Sequence, residues 1–362
     1  MKFSPFWRHI PQLLFPRLER VFEEALTEEH KKIIAILEVV RIEEVIRQDR
    51  SWTGRPAYDW VPFARFFVVK AILNVAATCD LIARVEVDSN LRRILGWESG
   101  KTLPDESAFS RVNAKLAHLN IPLRAQEALA NAQVKDRGIC HTAHDSSAIK
   151  AREKARNARK SVVLPSKKRG RPRKGESVAP KVPSGVERYL PMTPGEMERA
   201  IPKACNWGGK QNSQGKYEVW KGYKLHVSVA EGGLPVACLL TSASVHDSQA
   251  APFLIKKTAR KVQGYCLADA AYDSAALKTL SGKLGLVPII DLNPRRKGEK
   301  RPMEADRARR YKDRTMVERF FARLKDEFGG RMIYVRGDRK VFAHLMYGVL
   351  ALMADQLLQS TS

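Results

Sequence analysis

The hydrophobic pattern of this 362-residue chain changes period near residues 131–138. Before that point apolar residues recur at helical spacing, and after it they fall into short, strand-like runs. The change predicts an N-terminal all-α unit over 1–130, followed by an α/β unit over 131–362 built on a mixed sheet flanked by helices.

Within the first unit, LTEEHKKIIAILEVVRIEEVIRQ predicts one helix starting at Thr27, with Glu28 and Glu29 in its first turn. WVPFARFFVVKAILNVAA predicts a more apolar helix, entered through a turn at Gly54-Arg55-Pro56. LIARVEVDSNLRRILGW forms a third region, and Asp105 or Ser107 is the expected N-cap of SAFSRVNAKLAHL. In the second unit, GICHTAHDSSAIKA reads as a strand. Tyr217, Val219, Trp220, Tyr223, Leu225, Val227 and Val229 show rough alternation, and Glu231-Gly232-Gly233 turns the chain into LPVACLLTSA as a hairpin partner. A helix over 247–260, the strand GYCLAD, the helix SAALKTLSGKLG ended by Gly285, the strand LVPII and helices at 304–328 and 340–359 complete the order.

Charge narrows the partners. Sixty-four Lys and Arg against 39 Asp and Glu give a net charge of +25, which favours a polyanion, nucleic acid above all, and argues against an ordinary neutral metabolic enzyme. Residues 150–174 hold twelve basic residues against one Glu, so a mobile basic loop is expected over 150–187. Its Lys168, Arg169, Arg171 and Arg173 surround an Arg-Gly-Arg-Pro core that resembles the AT-hook, which lays arginines into a narrow minor groove. A solvated linker is the competing reading. Five cysteines, with no CxxC pair, predict a reducing compartment and no disulfide framework or structural zinc. The first residues lack the form of a secretory signal, and no run of about 18 uncharged apolar residues stands out as a membrane span. A reducing, cytoplasmic compartment is the expectation.

Two carboxylates sit at or within apolar strand segments: Asp145 in HDSS, and Asp269 after Tyr265-Cys266-Leu267-Ala268. Burying an acid is costly unless it is hydrogen-bonded, paired or bound to a cation. The helix at 304–328 adds a more specific pattern. Tyr311, Arg314, Glu318 and Lys325 are offset by 0, 3, 7 and 14 residues, and at about 100° per residue they share one arc roughly 60° wide. Val317, Phe320, Phe321 and Leu324 form a separate core-facing stripe. A solvated face of i,i+3 and i,i+4 pairs is the bland alternative. His141, His144, His226 and His246 are read mainly as packed or phosphate-side residues. Trp220 is expected in the strand core, while Trp207 and Trp220 both have rings able to stack on a base.

Tyr311-x2-Arg314-x3-Glu318-x6-Lys325 resembles the Y-R-E-K signature of DDE transposases from bacterial insertion sequences. ADAAYDS, with Tyr272 and Asp273 after Asp269, is similar to the family's second-Asp motif, and HDSSAIKA is similar to its first-Asp strand. GYKLHVSVAEGGLPVACLLTSASVHDS, ending in His246-Asp247-Ser248, resembles the strand pair between them. GRPAYDWVPFARFFVVKAIL and PDESAFSRV resemble the helical domain preceding the catalytic core.

The resemblance implies a ribonuclease-H-like core and an N-terminal domain for DNA binding and dimerisation. It also implies a triad of Asp145, Asp269 and Glu318 that binds two Mg²⁺ ions, with Mn²⁺ able to substitute. In that scheme Asp145 bridges both ions and the other two acids hold one each, while Tyr311, Arg314 and Lys325 contact phosphates. The implied partners are double-stranded DNA, as terminal inverted repeats and target, and a second copy of the chain on DNA; no membrane is implied. A ribonuclease-H-like nuclease or resolvase without joining activity, and a domesticated DNA-binding protein, are the alternatives. Glu318 lies 49 positions after Asp269, room for one helix and one strand, which counts against the β-rich insertion that in some relatives helps form a hairpin at the cut end.

Deleting 150–174 is expected to weaken duplex binding and to flatten its salt dependence. Each phosphate that the shortened chain no longer neutralises should lower the slope of log K against log salt by about 0.9. A binding titration across salt concentration measures this, and an unchanged slope would remove the basic loop from the DNA-binding surface.

Overall fold

The computed structural model describes residues 26–48, 57–97, 102–155, 183, 185–211, 215–262, 264–293 and 302–361. Helix α1 (Glu28–Val40) starts where the sequence places it: Thr27 accepts from the His30 backbone N–H, and His30 caps back in return. It stops eight residues before the predicted end, because Arg41 takes a left-handed conformation and a short 3₁₀ turn (Ile42–Val45) follows. The break re-aims the chain so that Ile42, only two residues after buried Val40, is also fully buried; a continuous helix would turn it off the apolar stripe.

Helices α2 (Trp60–Ile72), α3 (Thr78–Val87), α4 (Ser89–Leu95), α5 (Glu106–His118) and α6 (Ile121–Arg137) follow. Asp105 caps α5 by accepting from Ala108 N at 3.2 Å. The expected turn at Gly54-Arg55-Pro56 lies outside the described residues.

The sheet consists of β1 (His141–Lys150), β2 (Asn206–Gln211), β3 (Tyr217–Ala230), β4 (Leu234–Ser242), β5 (Gly264–Ala268) and β6 (Leu286–Ile290). Its order is β2-β3-β1-β5-β6, with β4 also paired to β3. β3 runs antiparallel to β1, β2 and β4, whereas β5 is parallel to β1 and β6 parallel to β5. This is a mixed sheet with helices on both faces, consistent with a ribonuclease-H-like core.

Short helices α7 (Gly185–Tyr189) and α8 (Pro194–Ala200) precede β2. Helix α9 (Asp247–Ala259) covers one face of the sheet through Ala250, Ala251, Phe253, Leu254 and Ile255. Helix α10 (Ala275–Lys283) and β6 follow Asp269, then α11 (Ala305–Tyr311), a 3₁₀ turn (Lys312–Arg314) and α12 (Thr315–Asp326). The predicted helix at 304–328 is therefore tightened for one turn in its middle, yet Tyr311, Lys312 and Arg314 keep right-handed helical backbone. Val317, Phe320, Phe321 and Leu324 of α12 are buried on the opposite face of the sheet from α9, in one core with Leu225, Val227 and Val229 of β3. Each such side chain contributes about 1.5–3 kcal/mol by leaving water, so α12 is held by its apolar stripe while its polar edge is left for chemistry.

The last helix, α13 (Asp338–Thr361), packs against α1, α2, α5 and α6 as well as β4 and α12. Its stretch Asp338–Ser360 is long and apolar enough to cross a membrane, yet 78% of its most apolar window is buried inside the fold. Leu345, Met346, Val349, Leu350, Ala351, Leu352 and Met353 are completely buried. A helix that is enclosed by others is apolar all round for that reason.

One glycine holds the two site-bearing strands together. Gly264 opens β5 with φ +142, and a Cβ there would meet the Cys140 carbonyl oxygen at 2.2 Å. Gly264→Ala is expected to cost about 2–3 kcal/mol through strain and forced separation of β1 from β5. Denaturant unfolding would measure the loss, and an unchanged midpoint would show that the strands can part without penalty.

Candidate active site

β1 and β5 are in parallel register from His141 opposite Tyr265 to His144 opposite Ala268. The next residues along the two strands are Asp145 and Asp269, so the pairing brings two acids 124 positions apart in sequence to adjacent strand positions. Asp145 lies within β1, opposite Val227 of β3, and its carboxylate accepts from Ser146 N at 2.7 Å. Burial pushes its pKa up to about 7, and the charges of Asp269 and Asp247 add to the effect while Arg314 opposes it. Asp269 caps the turn Ala270–Tyr272, accepting from Ala271 N at 3.0 Å. Its pKa is also raised, first by burial and then by Asp247.

Arg314 connects these acids to the helix. Its Nη1 lies 3.5 Å from Asp145 Oδ2, its Nη2 pairs with Glu318 one turn later, and its guanidinium lies 5.8 Å from the Tyr311 ring centroid. Tyr311 is partly buried against the core and its hydroxyl pKa is raised, chiefly by burial. The wheel-predicted face thus brings Tyr311, Arg314 and Glu318 together beside Asp145. Lys325 stands apart. Burial lowers its pKa, and its charged neighbours are Lys210, Arg331, Glu218 and Asp326, not the acids of β1 and β5.

As the side chains stand, no three His, Cys, Asp or Glu groups among the described residues form a ready metal cage. The Arg314 guanidinium pairs with both Asp145 and Glu318, supplying the positive charge between them. Lys168, Arg169, Arg171 and Arg173 of the basic loop lie outside the described residues.

Asp247 belongs to the same electrostatic neighbourhood, although its sequence position reads only as a helix start. It is the first residue of α9 after the His246 cap. Its Oδ1 pairs with Lys224 Nζ at 2.9 Å, and Lys224 also donates to Val245 O at 3.0 Å. Burial opposes its charge, but His226, Lys224 and hydrogen bonds from Lys224 and Ser146 hold its pKa below the usual value. Tyr272 completes the group. Its hydroxyl is buried without a hydrogen-bond partner among the described residues, and burial followed by the charges of Asp247, Asp145 and Asp269 raises its pKa. The signal available in the sequence is Lys224 standing between Tyr223 and Leu225 in a buried strand, which requires a nearby counter-charge.

The histidines are placed differently from one another. His144 and His226 are buried, with pKa values lowered to about 4 mainly by burial, so they are neutral near pH 7. His226 Nε2 lies 2.9 Å from Thr241 Oγ1. His141 pairs with Glu231, and His246 caps α9.

The donor set suits a hard divalent cation. Asp145 and Asp269 are hard oxygen donors whose pKa values are raised because nearby positive charge does not compensate their burial, whereas Asp247 is already paired with Lys224.

The site is thus a mixed sheet with paired acids at adjacent positions of two inner strands and Glu318 on a helix alongside. The family model for the transposase DDE domain matches residues 136–354, and that for a transposase domain (DUF772) matches residues 20–115. The chain belongs to the DDE transposase family, whose members typically use divalent metal ions and act on DNA. No curated protein and no solved structure matches it.

The crowding of acids has a measurable sign. A carboxyl whose pKa rises from 3.8 to about 7 on folding destabilises the fold increasingly as pH climbs through that interval. In metal-free protein, Asp145→Asn is therefore expected to raise Tm at pH 8 and to lose that advantage by about pH 4. Thermal unfolding in chelator at both pH values tests this; a mutant less stable at pH 8 would mean that the Arg314 pair outweighs burial.

Proposed function

We propose that this chain is an insertion-sequence transposase of the Y-R-E-K type. It binds terminal inverted repeats as a homodimer and both cuts and joins DNA through Asp145, Asp269 and Glu318. The observation that carries this reading is the β1–β5 register, which makes neighbours of Asp145 and Asp269, together with the Arg314 bridge from Asp145 to Glu318.

The three carboxylates are the residues that would hold two Mg²⁺ ions, or Mn²⁺ in their place. When bound, such ions activate an attacking oxygen and offset the charge gathering on phosphorus and the leaving oxygen. Arg314 keeps Asp145 and Glu318 paired before DNA arrives, and its planar fork suits a phosphate equally well. Tyr311 packs against that guanidinium and limits its freedom. Lys325, two turns beyond Glu318 and roughly 10 Å along the axis, grips a neighbouring phosphate. Water attacks in donor cleavage, and the freed 3′-hydroxyl attacks in strand transfer. The basic segment containing Lys168, Arg169, Arg171 and Arg173 adds sequence-tolerant contacts in the minor groove. The cytoplasm, on the nucleoid, is the compartment that fits this work.

Asp145→Asn, Asp269→Asn and Glu318→Gln are each expected to abolish nicking of labelled element-end DNA in Mg²⁺ while leaving end binding within a few-fold of the unaltered protein. Retained nicking in any of the three would refute the triad. Nicking without joined product would mark a nuclease or resolvase instead, and binding without nicking by the unaltered protein would mark a domesticated DNA-binding protein.

A further inference from the structure

The hairpin formed by β2 and the first half of β3 projects two aromatic side chains into solvent. Trp207 is 57% exposed and Tyr217 67%, with Val219 beside them at 55%. The pairing register sets Trp207 opposite Lys221, Gly209 opposite Val219 and Gln211 opposite Tyr217, so these residues alternate onto one face. The Tyr217 ring lies over Gly209, where a Cβ would meet its hydroxyl at 2.3 Å. That glycine gives the ring a flat bed against the ribbon.

The face continues toward basic and aromatic neighbours. Ala151 N donates to Lys221 O at 3.0 Å, which brings the end of β1 alongside. The next residue, Arg152, is exposed and lies 4.9 Å from the ring centroid of half-exposed Tyr334. Lys154 is exposed two residues further on, at the start of the most basic stretch of the sequence. Lys210 lies within electrostatic reach of Lys325, on the helix that carries Glu318.

Exposed rings interleaved with cations are a recurrent form of nucleic-acid-binding surface. They suit unpaired nucleotides, whose bases stack on rings and whose phosphates meet the cations. We propose that Trp207 and Tyr217, flanked by Lys221, Arg152 and Tyr334, form a stacking platform for single-stranded DNA. This surface would take unpaired bases next to the cut site. The proposal rests on DNA being the substrate, but it concerns binding and not the acids that cut.

The test uses the full chain in chelator, so that no cleavage intrudes, with a fluorescent 20-mer of deoxythymidine and a blunt duplex of equal length as probes. Trp207→Ala and Tyr217→Ala are each expected to weaken binding of the single strand by at least about fivefold and to leave duplex binding within about twofold. Trp207→Phe should restore most of the loss, since a phenyl ring still stacks. Equal weakening on both probes, or none on the single strand, overturns the proposal. So does a change from dimer to monomer in sedimentation with single-strand binding intact, which would make the face an interface between copies. Nicking assays do not enter, so this platform and the proposed triad stand or fall separately.

Discussion

Desolvated negative charge is the constraint around which the catalytic half is arranged. Asp145 and Asp269 sit on adjacent parallel strands with too little positive charge around them, and Asp247 adds a third carboxylate at the start of α9. Folding tolerates the arrangement because each acid has a local anchor. Asp145 and Asp269 accept from nearby backbone N–H groups, Asp247 is paired with Lys224, and Arg314 reaches from the helix to Asp145. The crowding lowers local stability, a common trade at functional sites.

The two helices that frame the acids are fixed by apolar contacts unrelated to chemistry. Helix α12 is seated by Val317, Phe320, Phe321 and Leu324, and α9 by Phe253, Leu254 and Ile255 on the other side of the sheet. Because the sheet is clamped from both faces, the acids keep their relation even though their charges repel. Arg314, partly buried in the 3₁₀ turn before α12, pairs with half-exposed Glu318 one turn on, outside the apolar core.

Much of this is legible in the sequence. Rough alternation marks β3, the turn at Glu231-Gly232-Gly233 marks the apolar run of β4 as its hairpin partner, and the helical offsets of Tyr311, Arg314 and Glu318 give one face. Strand β2 escapes the sequence pattern for a physical reason. NWGGKQ has two central glycines and low strand propensity, and it becomes a strand because those glycines admit close neighbours. A Cβ on Gly208 would meet Ala243 O at 2.5 Å, and one on Gly209 would meet the Tyr217 ring. Asp247 does not stand out as a chemical group because an acid in a first helical turn is ordinarily explained by the helix dipole. Lys325 falls on the predicted arc, yet the two turns separating it from Glu318 give it a different set of charged neighbours. Spacing alone defines an angle around a helix axis, and contact also depends on distance along it.

The last helix has a consequence for how the molecule comes into being. Helices α1, α2, α5 and α6 close around α13, which is more than 200 residues downstream of all of them. During synthesis the N-terminal helices therefore emerge with their apolar faces uncovered and stay so until residues 338–361 leave the ribosome. A chain halted earlier lacks the central strut of its own first half. Assembly of that half is in this way tied to completion of the half bearing the acids, so that an unfinished copy is poorly equipped to persist as a folded fragment.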